Sequence, residues 1–232
     1  MSGRKIRAFL LRIALPVVLA GFCVQWVEVT HSAESNSDSV TASAAWNPSA
    51  AALQQVRLSC TNLSFPELGE CFARNMRRAG ASADAVTFTR SIGNEGYLHV
   101  FVPAGRVDMA FVTYPFRANT NEACLLVNGE PTHIDVDNLP DLPQATMKHS
   151  GAFQKLATAY PHVSLWPGDR SDRRSVVAGS TPDGGQRFIA EYKLLNGCHA
   201  CALVGTARFA YDFDGKGKLT GVRFIGIKPS AN

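Results

Sequence analysis

The chain has 232 residues, with 23 Lys and Arg against 19 Asp and Glu and a formal net charge of +4. Residues 1–33 hold four of the basic residues (Arg4, Lys5, Arg7 and Arg12) and one acid, Glu28, so the remainder carries 19 against 18, or +1. The surplus charge belongs largely to the N-terminus and gives no argument for nucleic acid or an anionic membrane as partner.

The basic start runs into an apolar stretch, 13–24, that continues through Trp26 and Val27. A basic region followed by a short apolar one is the secretory pattern. The small and polar stretch Thr30-His31-Ser32-Ala33 gives a cleavage point after Ala33, with Ala20 as a second option. The competing expectation is a retained anchor: residues 9–27 are long enough to span a bilayer, apart from Arg12 and Pro16. Both place the folded part outside the cytoplasm, in the periplasm or secreted, with the membrane touched only through the N-terminal segment. Residues 34–52 are rich in Ser and Ala without apolar periodicity and predict a flexible linker, from which Trp46 can dock onto the domain. Residues 53–232, about 180 in number, suffice for a single domain with a real core.

Ser64-Phe65-Pro66-Glu67 is a capping-box pattern. Leu68, Cys71, Phe72, Met76 and Ala79 then recur at helical spacing, and Gly80 ends the helix. Residues 97–102 and 107–114 read as strands joined by Pro103-Ala104-Gly105. Residues 123–127 and 131–136 flank Asn128-Gly129, a two-residue hairpin signal, and Pro131 marks the second strand as an edge. A second helix is expected within 141–160, starting near Asp141 or at Ser150, with Phe153, Leu156, Ala157 and Tyr160 on one face and Pro161 as its stop. Residues 176–180 and 186–195 flank the turn Pro182-Asp183-Gly184-Gly185. Phe188, Ala190, Tyr192 and Leu194 alternate with Arg187, Glu191 and Lys193, as in a half-buried strand. Ala207, Phe209, Tyr211 and Phe213 alternate likewise, and Asp214-Gly215-Lys216-Gly217 turns that strand into 219–227. Tight turns between neighbouring strands require antiparallel pairing, and no βαβ alternation is present. The expected fold is α+β: helix, strands, helix, strands, an antiparallel sheet with one or two helices packed on a face.

Past residue 33 there are five cysteines: Cys60, Cys71, Cys124, Cys198 and Cys201. An oxidising compartment favours pairing. Cys60 precedes the first helix and Cys71 lies on its apolar face, so a bridge between them would staple the helix entry. Cys124, inside an apolar strand, reads as a small buried hydrophobe. Cys198-His199-Ala200-Cys201 admits several readings. A redox couple wants its first Cys at a helix N-terminus, and the following residues read as strand. A c-type haem needs His after the second Cys, where Ala202 stands. Zinc would need further ligands, from Cys124, His133 or Asp135. The leading reading is a structural disulfide between Cys198 and Cys201, or from one of them to Cys124, in a surface loop marked by Asn196-Gly197.

Arg117, Asn119, Asn121 and Glu122 lie in a polar loop between two strands and are the expected ligand-binding residues. His133, Asp135 and Asp137 alternate on a strand, so they would share one face, either as a solvated edge or as ligands and catalytic groups. Trp166-Pro167-Gly168-Asp169-Arg170 reads as a loop covering the core. The segment from Asp212 fails as a calcium loop because Lys216 and Arg223 occupy acidic positions. No nucleophile elbow, phosphate-binding loop, HExxH or dinucleotide glycine pattern is present. No cofactor or metal is expected. The leading expectation is an exported, disulfide-stabilised, non-enzymatic domain that binds a small molecule, an envelope component or a protein. The second is a thiol–disulfide or metal-handling protein acting through Cys198, His199 and Cys201. The third is an enzyme using His133, Asp135 and Asp137.

Overall fold

Asn128 ties together three parts of the chain that are far apart in sequence. Its Oδ1 accepts from the Val40 amide at 2.8 Å, and its Nδ2 donates to the Val40 carbonyl and to Asp108, both at 2.8 Å. The computed structural model describes residues 39–230, so the expected leader over 1–33 lies outside the described residues. From Ser39 onward the expected linker is instead part of the fold. A 3-10 turn, Ala42–Ala44, is followed by buried Trp46, whose amide donates to the Leu98 carbonyl at 2.8 Å. The helix α1 (Ala50–Ser59) then starts on a Ser49 cap. Alanine-rich sequence suits a helix as well as a linker. The partners that order it lie in residues 67–91, in residues 97–102 and at Asn128, well outside the segment itself.

Among the described residues there are five α-helices and two antiparallel sheets. α2 (Glu67–Arg78) buries Cys71, Phe72, Ala73 and Met76. The capping box does not form: Ser64 contributes its carbonyl to Leu68 N, and no side chain caps the helix. α3 (Ala83–Ser91), which the periodicity does not show, is capped by Ser82. The strands β1 (Tyr97–Val102), β2 (Asp108–Thr113), β3 (Glu122–Val127) and β4 (His133–Asp135) pair in that order, with β4 at the edge. The expected two-residue hairpin at Asn128-Gly129 is a longer loop, closed by Asn128 N to Thr132 O. In it Glu130 exchanges backbone bonds with Gly217 and Leu219 of the other sheet. Gly129 is needed for that approach, since a Cβ there would sit 2.8 Å from the Gly217 carbonyl oxygen. The single helix expected over 141–160 is two, α4 (Asp141–Lys148) and α5 (Gly151–Ala159), the second capped by Ser150.

The second sheet is built on β7 (Gln186–Asn196), with β8 (Leu203–Phe213) and then β9 (Leu219–Pro229) on one side. Its other side is shared end to end by β5 (Val163–Pro167), which pairs 192–196, and β6 (Val176–Ser180), which pairs 186–190. Trp166 therefore lies in a strand, where a covering loop is expected from the sequence. One core lies between the sheets, joining Met109, Phe111, Cys124 and Leu126 of the first to alternate residues of β7 and β8. The opposite face of the first sheet, with Leu98, Val112 and Leu125, packs on Ala44 and Phe88. A third cluster unites Trp46 with α1, α2 and α3. Because β2 and β3 are covered on both faces, they read as unbroken apolar runs, whereas β7 and β8 alternate.

Candidate functional site

A groove of about 340 Å³ lies between residues 39–44, α3 and the facing ends of β3 and β4. Its floor is apolar, with Val40, Phe88, Ile92 and Val127. Helical spacing on α3 turns Asp84, Thr87, Phe88 and Ser91 toward it. Thr41, Thr132 and His133 complete the rim. The wall formed by residues 39–44 is pinned at both ends. Asn128 holds Val40, while Ser43 donates to Asp84 at 2.5 Å and Ser82 donates to the Ser43 carbonyl at 2.8 Å. Ser91 is engaged with the Phe88 carbonyl and Asp84 with Ser43, which leaves Thr87 and His133 as the rim groups best placed to meet a ligand. The Thr132 hydroxyl lies 3.5 Å from His133 Nδ1, and among the described residues no carboxylate hydrogen-bonds that ring. The arrangement can bind a molecule with an apolar body and a hydrogen-bonding edge.

The loop expected to carry ligand contacts sits at the other end of β3. There the Arg117 guanidinium stacks on the Tyr114 ring, 3.4 Å from its centroid, and pairs with Glu95 at 3.0 Å. Asn121 Nδ2 donates to the carbonyls of Tyr114 and Arg117, so it holds the loop's own backbone. Asn119 is exposed. Glu122 starts β3 opposite Thr113, which in turn faces His99 Nδ1 at 3.2 Å. Burial pulls the His99 imidazole below its usual range against the opposing charge of Glu122, and burial lifts the Tyr114 hydroxyl to about 12.

Of His133, Asp135 and Asp137, only the first two lie on β4. β4 ends at Asp135, and the chain then turns inward, leaving His133 exposed and Asp137 beneath the second sheet. Asp135 accepts from the Asp137 amide at 2.9 Å, and burial raises its carboxyl above the ordinary range. Asp137 meets Arg170, whose side chain is 0% exposed. Arg170 Nε and Nη2 donate to Asp137 Oδ1 at 2.9 and 2.6 Å, and Nη1 donates to the carbonyls of Glu191 and Ser175 at 3.0 and 3.3 Å. Burial pulls the guanidinium down, but the Asp137 charge and hydrogen bonds outweigh it and hold Arg170 above its ordinary range. Glu191 is the residue of β7 left between β5 and β6, so Arg170 satisfies the carbonyl in the gap. Beside this pair, the hydroxyls of Tyr192 and Tyr211, 2.8 Å apart, converge on the Val136 carbonyl. Sequence reasoning misses this network. Gly168 makes room for it, since a Cβ there would run into the Glu191 carbonyl oxygen and Arg170 itself.

Cys60 and Cys71 form one disulfide and Cys198 and Cys201 a second, while Cys124 is free and buried. Burial pushes the Cys124 thiol up, which makes it inert. The Cys198–Cys201 bridge closes the exposed tip of the β7–β8 hairpin, with Gly197 at φ +104 and His199 edge-on to Trp166. Strand, not helix, follows Cys201, so no helix end acts on these sulfurs. Among the described residues no group of three or more His, Cys, Asp or Glu is placed to hold a metal ion, and no helix is long and apolar enough to cross a membrane. Comparison with protein-family models, with curated proteins and with solved structures found no match to this chain.

Proposed function

We propose that the chain is an exported, non-enzymatic binding domain that holds a small molecule in the groove between residues 39–44 and α3. The carrying observation is that groove itself: about 340 Å³, apolar in its floor, hydroxylated at its rim and pinned by hydrogen bonds at both ends of one wall. Export is supported by the basic-then-apolar N-terminus and by two disulfides, which persist where the surroundings are oxidising. The loop with Arg117, Asn119, Asn121 and Glu122 is a second proposed contact surface, for an envelope component or a protein. Its weight is lower, because Arg117 and Asn121 already have partners within the domain.

Thr87→Trp tests the groove, since an indole at that position fills it from an exposed helix face. A panel of small amphiphiles bearing hydroxyl or amine groups is screened by thermal shift on the wild type and the variant. Stabilisation of the wild type by a panel member, reduced at least tenfold in apparent affinity in Thr87→Trp, is the expected result. Equal stabilisation of both proteins rejects the groove. A second reading, thiol–disulfide exchange at Cys198 and Cys201, is favoured by one observation: that bridge is exposed at a hairpin tip, and exposed bridges are the more reducible ones. Failure of the purified protein to reduce or oxidise a model disulfide substrate rejects it.

A further inference from the structure

α2 and α3 form a second concavity on the side of α3 turned away from the groove. Gly80, at φ +88, ends α2, and Ala81 N bonds back to Met76 O at 3.0 Å. The chain reverses within a few residues, and the Ser82 cap starts α3 running back along α2. Arg90 at the end of α3 thereby comes beside Glu70 at the start of α2, at 3.9 Å. The space between the helices is about 290 Å³, with Ala73 and Val86 as its floor and Arg74, Arg77, Arg78 and Arg90 around it.

Helix electrostatics account for only part of this. Arg77 and Arg78 lie in the last turn of α2, where cations suit the dipole. Arg74 is three and four residues before them, a spacing at which like charges repel. Arg90 adds a fourth cation from the facing helix. Among the described residues the ion pair that reaches this space is Arg90–Glu70, at the edge of the distance range and with both side chains about half exposed, so it neutralises little. Arg78 Nη1 reaches only the Asn75 side-chain oxygen, at 3.5 Å. Four arginines thus line one concavity of a chain whose charge past residue 33 is +1.

We propose that this α2–α3 concavity binds a phosphate-bearing ligand. Each guanidinium presents a planar fork of N–H donors that matches two phosphate oxygens, and one bound group relieves the repulsion among several cations at once. The floor is small and apolar, so the ligand's charged end seats on the rim. The site is independent of the groove proposed above, because Val86 and Arg90 lie on a different side of α3 from Thr87 and Ser91.

The test is isothermal titration of the full chain with sodium pyrophosphate at low ionic strength. A parallel arm measures cosedimentation with phosphatidylglycerol vesicles, using phosphatidylcholine vesicles as reference. Both are run on the wild type, on Arg74→Gln/Arg77→Gln, on Arg90→Gln and on Arg208→Gln, an exposed arginine of β8. The expected result is pyrophosphate binding weakened at least tenfold in the first two variants and unchanged in the last. The melting temperature of the double variant in chloride should be equal to or above that of the wild type, which separates loss of binding from loss of fold. Binding to phosphatidylglycerol vesicles without pyrophosphate binding, lost in the same variants, also supports the site and identifies a lipid headgroup as the source of the phosphate. Absence of both, or binding that survives the α2 and α3 substitutions, overturns the proposal.

Discussion

Asp135 is a carboxylate held mostly out of water, with one backbone amide as its direct hydrogen-bond partner. Burial is the largest influence on it, and the Asp137 amide and then the charges of Arg117 and Arg170 offset that only in part, so its folded pKa stands above the unfolded value. A raised carboxyl pKa means that the folded state binds the proton more tightly than the unfolded one. Stability held back at neutral pH is therefore regained as pH falls through the folded pKa toward the unfolded one. Asp135→Asn keeps an oxygen for the Asp137 amide and removes the charge. The variant is expected to melt above the wild type at pH 7, by a few degrees at most, with the gap closing as pH is lowered toward 4. Paired thermal melts over that range check it, and a gap that widens in acid contradicts it. At this scale the sequence shows Asp135 and Asp137 as alternating carboxylates on a strand, which is correct only for the first. Nothing local reveals that Asp137 turns inward, because its partner Arg170 is 33 residues away.

The two disulfides differ in what they constrain. Cys60–Cys71 closes 11 residues between the end of α1 and the buried face of α2, and both its sulfurs lie in the core. Cys198–Cys201 closes a separation of 3 at an exposed hairpin tip. Loop entropy assigns about 3 kcal/mol to the first and about 2 kcal/mol to the second. Cys60→Ser/Cys71→Ser also buries two hydroxyls, so its cost should reach or exceed the entropic figure. Cys198→Ser/Cys201→Ser leaves its hydroxyls in water and should cost no more than about 2 kcal/mol. Urea unfolding of both double variants measures this, and a larger loss from the hairpin tip would mean that the bridge holds more than its own turn. Both pairings were accessible from spacing and expected compartment. The helices were less so. α2 announces itself by a full apolar face, but α1 buries only Val56 and α3 is nine residues long, too short for periodicity to stand out. Their serine caps, Ser49 and Ser82, emerge only in the structure. The 340 Å³ groove was not legible at all. Its walls come from residues 39–44, α3 and the β3–β4 loop, three segments that meet only in the tertiary fold.

The whole described unit is layered: helices on one face of the first sheet, the second sheet on the other, and α4 and α5 feeding Met147 and Phe153 into the core between the sheets. Alternation predicted which faces of β7 and β8 point inward, while the number of sheets depended on pairings that alternation leaves open. Arg170 joins the layers, since it holds Asp137 at the exit of the first sheet, the Glu191 carbonyl of the second and the Ser175 carbonyl just before β6. Arg170→Ala leaves a buried carboxylate without its cation and is expected to cost about 3–5 kcal/mol. In a domain of this size that lowers Tm by roughly 6–20 °C. Two tryptophans report the layers separately: Trp46 sits among the helices and Trp166 on β5 of the second sheet. In a Trp26→Phe background, their fluorescence traces, resolved with Trp46→Phe and Trp166→Phe, should share one midpoint and fall together in Arg170→Ala. The double variant Arg170→Met/Asp137→Leu should recover most of the loss, because it removes both charges and retains volume. A Trp46 transition that stays in place while the Trp166 transition drops would show that the layers unfold apart, and that the buried pair stabilises only the second sheet.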